Sequence, residues 1–394
     1  MLIGLVGKPN VGKSTFFKAM TLMDVLIENY PFATIEPNKG AGFVRVECVD
    51  KDFNVKCNPR TGYCVDSTRF VPVELMDVAG LVPGAHEGKG MGNQFLDDLR
   101  QADALIHVVD VSGSTNERGE NVEQGSYDPA NDIKFLEEEL NYWFFGILKK
   151  SWVKFGRRVE QEKKELFREI AQQFSGLKIT EEQVKNALKG FDIKNPSKWD
   201  DELLFKFASN LRRCSKPIII AANKIDKSNG KKNLEKLKKQ FPNYKIIGCS
   251  AEIELALKEA NNKGIIKYIP GSSKFTILKK DLPEKQKKAL DYIREFLEEN
   301  KTTGVQEVLD TLVFEVLGYI AVFPGGVKKL ADSKGRILPD CFLMHKGSTA
   351  LDFAYKIHTD IGDKFVKAIN VKTKKPLGKD YILHHRDVIE IMTR

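Results

Sequence analysis

Short apolar segments recur along the chain and alternate with amphipathic stretches, which is the pattern of buried strands joined by surface helices. The apolar segments predict strands at Leu2–Val6, 43–49, 71–76, 104–111, 217–222 and 244–248. Helices are predicted to follow the first strand through Phe16–Met20 and to cover Phe95–Ala102. This part of the chain therefore favours an α/β fold.

The pattern changes to helical spacing at residue 129, in a charged background. The apolar side chains that recur at this spacing are Phe135, Leu136, Leu140, Trp143 and Ile147. Further on, Thr180-Glu181-Glu182-Gln183 has the form of a capping box, which begins another helix. We therefore predict a helical insertion over residues 129–210.

The C-terminal part of the chain carries a separate alternation of elements. Residues 271–286 are predicted as a linker, and helices are predicted at 290–300 and 305–317. Beyond them, strands are predicted at 319–323, 365–371 and 388–392 and a helix at 349–358. Residues 318–394 therefore indicate a compact mixed α/β unit.

The segment Gly7–Thr15, GKPNVGKST, fits the phosphate-binding loop pattern G-x-x-x-x-G-K-[ST] between a predicted strand and a predicted helix. Glycines let successive N–H groups point at an anion, and the helix N-terminus adds partial positive charge. Lys13 would neutralise the outer phosphates, and the Ser14 hydroxyl would bind Mg²⁺. The predicted nucleotide contacts of this loop are Lys8, Pro9, Asn10, Val11, Gly12, Lys13, Ser14 and Thr15.

A second phosphate element is predicted at Asp77-Val78-Ala79-Gly80, where an apolar strand ends in a carboxylate. Asp77 would orient Mg²⁺, and the Gly80 amide would bond the γ-phosphate. Thr34, in a loop bracketed by prolines, is predicted to close over the metal. We assign Ser14, Thr34 and Asp77 to the metal and Lys13, Thr34 and Gly80 to catalysis, with the glycine-rich segment 81–93 as a switch.

The segment Asn223-Lys224-Ile225-Asp226 follows a predicted strand and points to guanine. A carboxylate in the plane of guanine accepts from both N1–H and the 2-amino group, a donor pair that adenine lacks, so Asp226 would select the base. Asn223 would hold neighbouring loops, and the Lys224 stem would lie over the ring. After the next strand, a backbone amide of Ser250-Ala251 would contact guanine O6.

Composition restricts the class of protein and its partners. The chain has 394 residues, enough for two or three domains, with 63 Lys and Arg against 54 Asp and Glu and a net charge of +9. This charge fits RNA or a ribonucleoprotein partner, or equally a lysine-rich composition adapted to heat. We find neither an apolar run of about 18 residues nor a secretory leader, and we predict a cytoplasmic protein that does not bind membranes.

Six cysteines are scattered along the chain and are expected to be reduced thiols in a cytosolic protein. Six residues separate Cys57 from Cys64, and Cys48 lies nearby. A metal site at these three thiols is an open alternative, because the spacing lacks the tight C-x-x-C pair of a zinc knuckle.

These motifs together resemble the sequence boxes of a translation-factor-type GTPase. The segments 30–38, YPFATIEPN, and 77–85, DVAGLVPGA, more closely resemble the Obg-like, YchF-type GTPases, and residues 347–363 are similar to the TGS domain. The resemblance implies a doubly wound α/β P-loop G domain and a C-terminal ubiquitin-like β-grasp domain. We predict a discontinuous G domain at 1–128 and 211–275, the helical insertion at 129–210, connecting helices at 276–317 and a TGS domain at 318–394.

The resemblance also bears on catalysis and cofactors. Leu81 stands where Ras-type enzymes carry the glutamine that orients water, so that mechanism is excluded at this position. His86 is one substitute, although a lone histidine in a glycine-rich loop is more often a bystander. Asn10 matches the asparagine through which some related GTPases bind K⁺, which makes K⁺ a second candidate cofactor beside Mg²⁺.

From these residues we predict a magnesium-dependent GTPase with slow intrinsic turnover that binds GTP and GDP and associates with a ribosome or RNA. Some YchF relatives depart from the N-K-x-D motif and accept ATP, so an ATPase of the same family is one alternative, which Asp226 disfavours. The other is a nucleotide-gated RNA-binding scaffold with incidental hydrolysis. The oligomeric state stays open.

Overall fold

The computed structural model describes residues 1–22, 38–78 and 98–394. Among the predicted site residues, Thr34 and Gly80 lie outside the described residues, as do Leu81, His86 and the switch segment 81–93. Asp77 and all of the other predicted contacts are described.

A large sheet forms the centre of the N-terminal part, and its described strands follow the order β2-β4-β1-β5-β6-β7, with β3 paired to β4. They are β1 Leu2–Val6, β2 Lys39–Glu47, β3 Tyr63–Val65, β4 Thr68–Asp77, β5 Ala104–Asp110, β6 Ile218–Asn223 and β7 Lys245–Cys249. Strands β1, β4, β5, β6 and β7 run parallel, whereas β2 and β3 pair antiparallel with β4. Every residue of β1, β5 and β6 is buried, because helices cover both faces of the sheet.

Helices flank this sheet on both sides, so the sheet is doubly wound as predicted. They are α1 Lys13–Thr21, α2 Ala130–Lys149, α3 Trp152–Glu162, α4 Leu166–Gln173, α5 Glu181–Ala187, α6 Asp201–Ser215, α7 Gly230–Gln240 and α8 Ala251–Asn262. α1 packs against α8, and Phe16 and Ala19 of α1 belong to the apolar core on one face. α2 packs against α6, and Leu136 and Leu140 of α2 belong to the core on the other.

Helices α2–α6 occupy the stretch predicted as a helical insertion. The capping box at the start of α5 is confirmed, since Thr180 Oγ1 accepts from Gln183 N at 3.3 Å and Gln183 Oε1 accepts from Thr180 N at 2.9 Å. Aromatic rings fill the interior of this part, with the rings of Trp152 and Trp199 stacked 5.2 Å apart. Short 3₁₀ turns at Ser175–Leu177 and Pro196–Lys198 separate its helices.

The stretch 271–286, predicted as a linker, is partly regular structure, and the prediction is wrong there. Strand β9, Phe275–Ile277, pairs antiparallel with β8, Ile266–Tyr268, across a turn in which Gly271 has φ 78°. The next helix, α9, already begins at Glu284 and ends at Asn300. These strands are three residues long, too short for the alternation of apolar and polar residues to indicate them.

After α9, helix α10 covers Val305–Thr311 and continues as a π-helical turn at Leu312–Val316. The final unit is a five-stranded sheet in the order β11-β10-β14-β12-β13 with two helices. Its elements are β10 Tyr319–Pro324, β11 Phe342–His345, α11 Ala350–Ile357, α12 Thr359–Asp363, β12 Phe365–Asn370, β13 Lys375–Leu377 and β14 Asp387–Thr393. Phe353 of α11 is fully buried against this sheet, in a core that also holds Val322 and Ile389.

The C-terminal sheet docks on the segment between β2 and β4. Arg69 of β4 is fully buried and donates to the carbonyls of Leu338 at 3.1 Å and Pro339 at 2.7 Å. The backbone N–H groups of Asn58 and Arg60 donate to Ile337 and Pro339. Buried apolar residues continue through this contact, so the two units share one core.

Within residues 1–22, 38–78 and 98–394, no helix combines the length and the apolar character needed to cross a bilayer.

Candidate functional site

The sequence-predicted residues meet at one edge of the large sheet, where the parallel strands end. Strand register places Asp77 beside Leu5, Asp110 beside Asn223, and Asn223 beside Cys249. The loop that follows β1 therefore lies among the ends of β4, β5, β6 and β7. In open α/β sheets this edge is where ligands bind.

The phosphate-binding loop connects β1 to α1 at this edge. Gly12 immediately precedes α1 with φ 92°, a left-handed conformation, and no side chain caps the helix. The first N–H groups of the helix are thus open to an anion. Lys13, Ser14 and Thr15 form the first turn of α1, and the Ser14 side chain is exposed.

Lys13 and Asp77, predicted for the phosphates and the metal, are in direct contact. The Lys13 ammonium pairs with the Asp77 carboxylate and donates to the Val78 carbonyl at 2.7 Å. Both side chains are mostly buried, with 13% and 22% of their surface exposed. The contact brings the lysine predicted to bind phosphates and the carboxylate of the second motif together at the start of α1.

Lys8 and Pro9 of the loop differ in burial. The Lys8 ammonium is buried, donates to the carbonyl of Thr115 and to Asp132 at 2.9 Å each, and lies 3.8 Å from the centre of the Tyr127 ring. Burial lowers the pKa of Lys8, against the attraction of Asp132. Its side chain anchors the loop to α2, so any phosphate contact there comes from the backbone, whereas Pro9 is exposed.

Asn10 also links the loop to its surroundings. It has φ 62°, and its Nδ2 donates to the carbonyl of Gly119 at 2.8 Å. The amide nitrogen is thus engaged within the protein. The oxygen is the atom that would contact K⁺ in the predicted role.

Asn223 bridges the phosphate loop and the segment after β7. It is 3% exposed, its Nδ2 donates to the carbonyl of Val11 at 2.9 Å, and its Oδ1 accepts from Ala251 N at 3.0 Å. Ser250 begins α8 and its hydroxyl accepts from Ile253 N at 3.4 Å. One buried amide therefore fixes the two predicted base-binding segments relative to the P-loop.

Lys224 lies across the same edge. Its backbone has φ 66°, and its ammonium donates to the Asn10 carbonyl and to Asp110 Oδ2 at 2.9 Å each. Both contacts are made by the ammonium group, so they hold the tip of the side chain between the phosphate loop and the end of β5. This geometry is compatible with the predicted role of the stem over the purine.

Asp226 has a side chain only 5% exposed, and its carboxylate lies 3.3 Å from the Lys227 ammonium. It also borders a groove between the start of α7 and α9, opposite Tyr292 and Phe296. None of the P-loop residues lines that groove, which is therefore separate from the phosphate pocket. Asp226 follows the strand that ends at the same edge as the loop, and its role in selecting guanine stays a prediction.

Asp110, at the end of β5, is a site residue that the sequence reasoning missed. It is 1% exposed and accepts from Ser112 Oγ at 2.6 Å, Ser114 Oγ at 2.8 Å and Thr115 Oγ1 at 3.0 Å, besides Lys224. Burial alone would raise the pKa of Asp110, but hydrogen bonds from Ser112, Lys224 and Ser114 hold it below its usual value. A carboxylate at the end of a buried strand, followed by hydroxyl residues, was the available signal.

Several lysines of α7, the helix after Asp226, form ion pairs. Lys231 pairs with Glu299, Lys236 with Asp128 at 2.6 Å, and Lys238 with Glu235 at 3.2 Å. These pairs favour a solvated face for α7 rather than a contact with RNA. In the C-terminal unit, the exposed lysines include Lys364, Lys367, Lys374, Lys375 and Lys379.

Models of known families match three stretches of the chain. Residues 2–138 match a 50S ribosome-binding GTPase. Residues 221–326 match the G4 motif-containing domain of the Obg-like, YGR210-like GTPases, and residues 325–393 match the TGS domain. Together these matches cover the P-loop, the Asn223–Asp226 motif and the C-terminal sheet.

Similar proteins extend over the whole chain. An uncharacterized GTP-binding protein of Methanocaldococcus jannaschii is 50% identical over 394 residues, which is 100% of this chain and 99% of that protein. A ribosome-binding ATPase named YchF from Mycoplasma genitalium is 29% identical over 371 residues, or 92% of this chain and 86% of its own length. The crystal structure of a GTP-binding protein from Pyrococcus horikoshii matches with a TM-score of 0.80 at 37% identity, with each chain covered completely.

Proposed function

Because the chain belongs to the Obg-like, YchF-type family of P-loop GTPases with a C-terminal TGS domain, we propose that it hydrolyses GTP and acts as a nucleotide switch on a ribosome or RNA. The observation that carries the proposal is the bridge made by Asn223. Its contacts with Val11 and Ala251 hold the guanine motif against the phosphate loop. One ligand with a base and phosphates can then span both.

The chain's own residues supply binding and charge stabilisation. The open N-terminus of α1 and Lys13 receive the phosphates, and charge that develops on the γ-phosphate in the transition state is stabilised there. Ser14 and Asp77 offer the hydroxyl and carboxylate oxygens that Mg²⁺ prefers, so they fit the predicted ion, together with Thr34. Mg²⁺ would neutralise charge on the phosphate oxygens. We expect slow intrinsic turnover, because Leu81 cannot polarise water.

The proposed partner is the ribosome or another RNA assembly, which would place the protein in the cytoplasm. The YchF relative from Mycoplasma genitalium is named as ribosome-binding, and a family model for ribosome-binding GTPases matches residues 2–138. The net charge of +9 and the exposed lysines of the C-terminal sheet suit a phosphate-rich surface.

Substitution of Asp226 by alanine tests the base assignment. Removing the carboxylate should weaken GTP binding by roughly 10- to 100-fold and leave ATP binding nearly unchanged, because a hydrogen-bonded charged partner is lost only for guanine. The measurement is competition of GTP and ATP against a fluorescent GDP analogue. Glu235→Ala, which removes an exposed carboxylate on α7, is the matched control. Equal loss of GTP and ATP affinity in Asp226→Ala would contradict guanine selection.

An ATPase of the same family is the first alternative, favoured by the name of the Mycoplasma genitalium relative. The same competition distinguishes it, since ATP would then displace the analogue from the unaltered protein at concentrations similar to those of GTP. Because Asp226 is present, we expect GTP to displace the analogue at lower concentrations than ATP.

The second alternative is an RNA-binding scaffold whose hydrolysis is incidental. Co-sedimentation with ribosomes in GDP, in a non-hydrolysable GTP analogue and without nucleotide separates it from a switch. A switch requires the affinity for ribosomes to change with the nucleotide, and this change should disappear in Lys13→Ala. Equal sedimentation in all three states would favour the scaffold.

A further inference from the structure

Four potential metal ligands meet in the segment between β2 and β4, away from the nucleotide edge. Cys48 follows β2, Asp50 lies in the 3₁₀ turn Val49–Phe53, Cys57 lies in the loop, and Cys64 lies in β3. Their ligand atoms all lie within 4.8 Å of one another. Cys48 is fully buried, Asp50 is 4% exposed and Cys57 is 9% exposed. None of them takes part in the proposed GTPase chemistry.

The distances suit a single ion rather than a disulfide. The sulfur atoms of Cys48 and Cys57 are 3.7 Å apart, whereas a disulfide bond is about 2.05 Å long. Two thiolates at about 2.3 Å from a tetrahedral zinc ion are separated by about 3.8 Å. The two sulfur atoms are therefore already separated by about one edge of a zinc tetrahedron.

The Asp50 carboxylate is a second observation that favours a cation at this cluster. Its Oδ1 is buried and has no hydrogen-bond partner among the described residues. Leaving a carboxylate oxygen buried and unpaired is costly, and such groups are paired or coordinate metals. Because the Asp50 carboxylate belongs to the same cluster as the three sulfur atoms, a cation bound there would compensate its charge.

Arg69 supplies the charge that such a site needs around it. It stands directly opposite Cys64 in the pairing of β3 with β4, it is fully buried, and its Nε has no hydrogen-bond partner among the described residues. Three thiolates and a carboxylate around a doubly charged cation carry a net negative charge. A buried guanidinium beside them offsets part of that charge.

We propose that Cys48, Asp50, Cys57 and Cys64 hold one Zn²⁺ ion in a closed, structural site. On binding, each of the three thiols releases its proton to solvent and forms a bond from sulfur to zinc, while Asp50 binds as the carboxylate. Thiolate-rich tetrahedral sites select zinc among the common divalent ions. With four protein ligands, no position remains for a water or a substrate.

The position of the site gives it a structural purpose. The same loop carries the N–H groups of Asn58 and Arg60 that donate to Ile337 and Pro339 of the C-terminal unit. Arg69 connects the cluster to the carbonyls of Leu338 and Pro339. The zinc ion therefore fixes the conformation of the loop on which the TGS domain docks.

Metal analysis of the full-length protein tests the proposal. The protein is purified under reducing conditions, incubated with Zn²⁺ and desalted, and zinc is measured by inductively coupled plasma mass spectrometry. We expect about one zinc per chain in the unaltered protein and at least tenfold less in Cys57→Ser. Cys214→Ser, a half-buried cysteine on α6 outside the cluster, is the matched control and should keep its zinc.

Two further measurements complete the test. Cobalt in place of zinc in the unaltered protein should give thiolate-to-cobalt charge-transfer bands and tetrahedral d–d bands, which decides the question even where Cys57→Ser fails to fold. Asp50→Ala should keep the sulfur bands but lose metal to a chelator at least tenfold more readily.

Two results would overturn the proposal. One is that the unaltered protein binds neither zinc nor cobalt, and the other is that Cys57→Ser binds as much zinc as the unaltered protein. An Asp50→Ala variant that keeps its metal as firmly as the unaltered protein would remove Asp50 from the ligand set. These outcomes are independent of nucleotide binding, so they leave the proposed GTPase function untouched.

Discussion

Single buried side chains hold the nucleotide site together. Asp110 receives hydrogen bonds from three hydroxyl groups and from the Lys224 ammonium, while Asn223 joins the P-loop to the start of α8. Neither side chain needs to touch a nucleotide to matter. Each fixes a group that does, and a small error in such positioning is costly for binding and chemistry.

Asp110→Asn should destabilise the protein in a pH-dependent manner. The amide would present N–H groups to donors, and about 1–3 kcal/mol of unfolding free energy should be lost at neutral pH. The pKa of Asp110 lies below its usual 3.8 in the folded state. The stabilising contribution is therefore present above that value and is lost as pH falls through the folded-state pKa.

Urea denaturation at several pH values measures this effect. The difference in unfolding free energy between the unaltered protein and Asp110→Asn should be largest near neutral pH and shrink in strong acid. Asp201→Asn, an exposed carboxylate on α6, should show little difference at any pH. A difference that grows as the pH falls would contradict the charged state that we assign to Asp110.

At the scale of elements, the turn from β1 into α1 depends on backbone conformations that side chains disfavour. Gly12 has φ 92°, and a Cβ atom there would collide with the amide of Asn223. The turn can approach β6 this closely only because the residue is glycine. The open start of α1 and the bridge to the guanine motif therefore depend on the same position.

Gly12→Ala should abolish nucleotide binding and lower the unfolding free energy by roughly 1–3 kcal/mol through backbone strain and the displaced Asn223 amide. Gly146→Ala is the matched control, because it lies within α2 and a Cβ atom there meets nothing within 4 Å. That change should be neutral or stabilising by up to about 1 kcal/mol. Titration calorimetry with GDP and thermal unfolding check both. Unchanged GDP affinity in Gly12→Ala would refute the role of this turn.

In the described part of the molecule, basic residues differ in whether they form ion pairs. Three lysines on α7 are engaged in ion pairs, and in the C-terminal unit Lys372 and Arg386 pair with Asp52. Lys374 and Lys375, around the start of β13, are instead exposed. The C-terminal sheet is therefore the surface on which we expect contacts with phosphates.

A charge reversal of both residues, Lys374→Glu with Lys375→Glu, should weaken ribosome co-sedimentation about tenfold. The slope of log affinity against log salt concentration should also become shallower by about one unit for each phosphate contact that is lost. The matched control is the reversal of Lys287 and Lys288, which are exposed on α9. Equal weakening in both variants would show that net charge alone, and not this surface, governs the association.

The sequence predicts the parallel strands and the P-loop well, because buried strands and glycine-rich loops have strong local signatures. Leu2–Val6 and the strands that end at Asp77 and Asn223 are found where the apolar segments lie. The partners of Lys8 and Lys224 could not be predicted, since Asp132 and Asp110 are more than one hundred residues distant in the chain. Such contacts follow from the packing of elements and not from local pattern.

The cysteine cluster shows the same limit. Cys48, Cys57 and Cys64 are unevenly spaced, and the carboxylate of Asp50 carries no motif that marks it as a ligand. The antiparallel return of β4 along β2, and the pairing of β3 with the start of β4, bring them together. A short strand such as β3 lacks enough residues to indicate that pairing in advance.

Strand β4 runs without interruption from the contact with the C-terminal unit to the phosphate-binding loop. Its ten residues cover about 30 Å, from the neighbourhood of Arg69 and the docked C-terminal sheet to Asp77 against Lys13. A displacement at one end of a paired strand would have to be accommodated along it, so we expect the two ends to be coupled. Such a coupling is reciprocal. If a bound nucleotide changes the affinity for the partner by some factor, the bound partner changes the affinity for the nucleotide by the same factor. A ribosome bound to the C-terminal sheet would then raise or lower the protein's affinity for its nucleotide by the same factor.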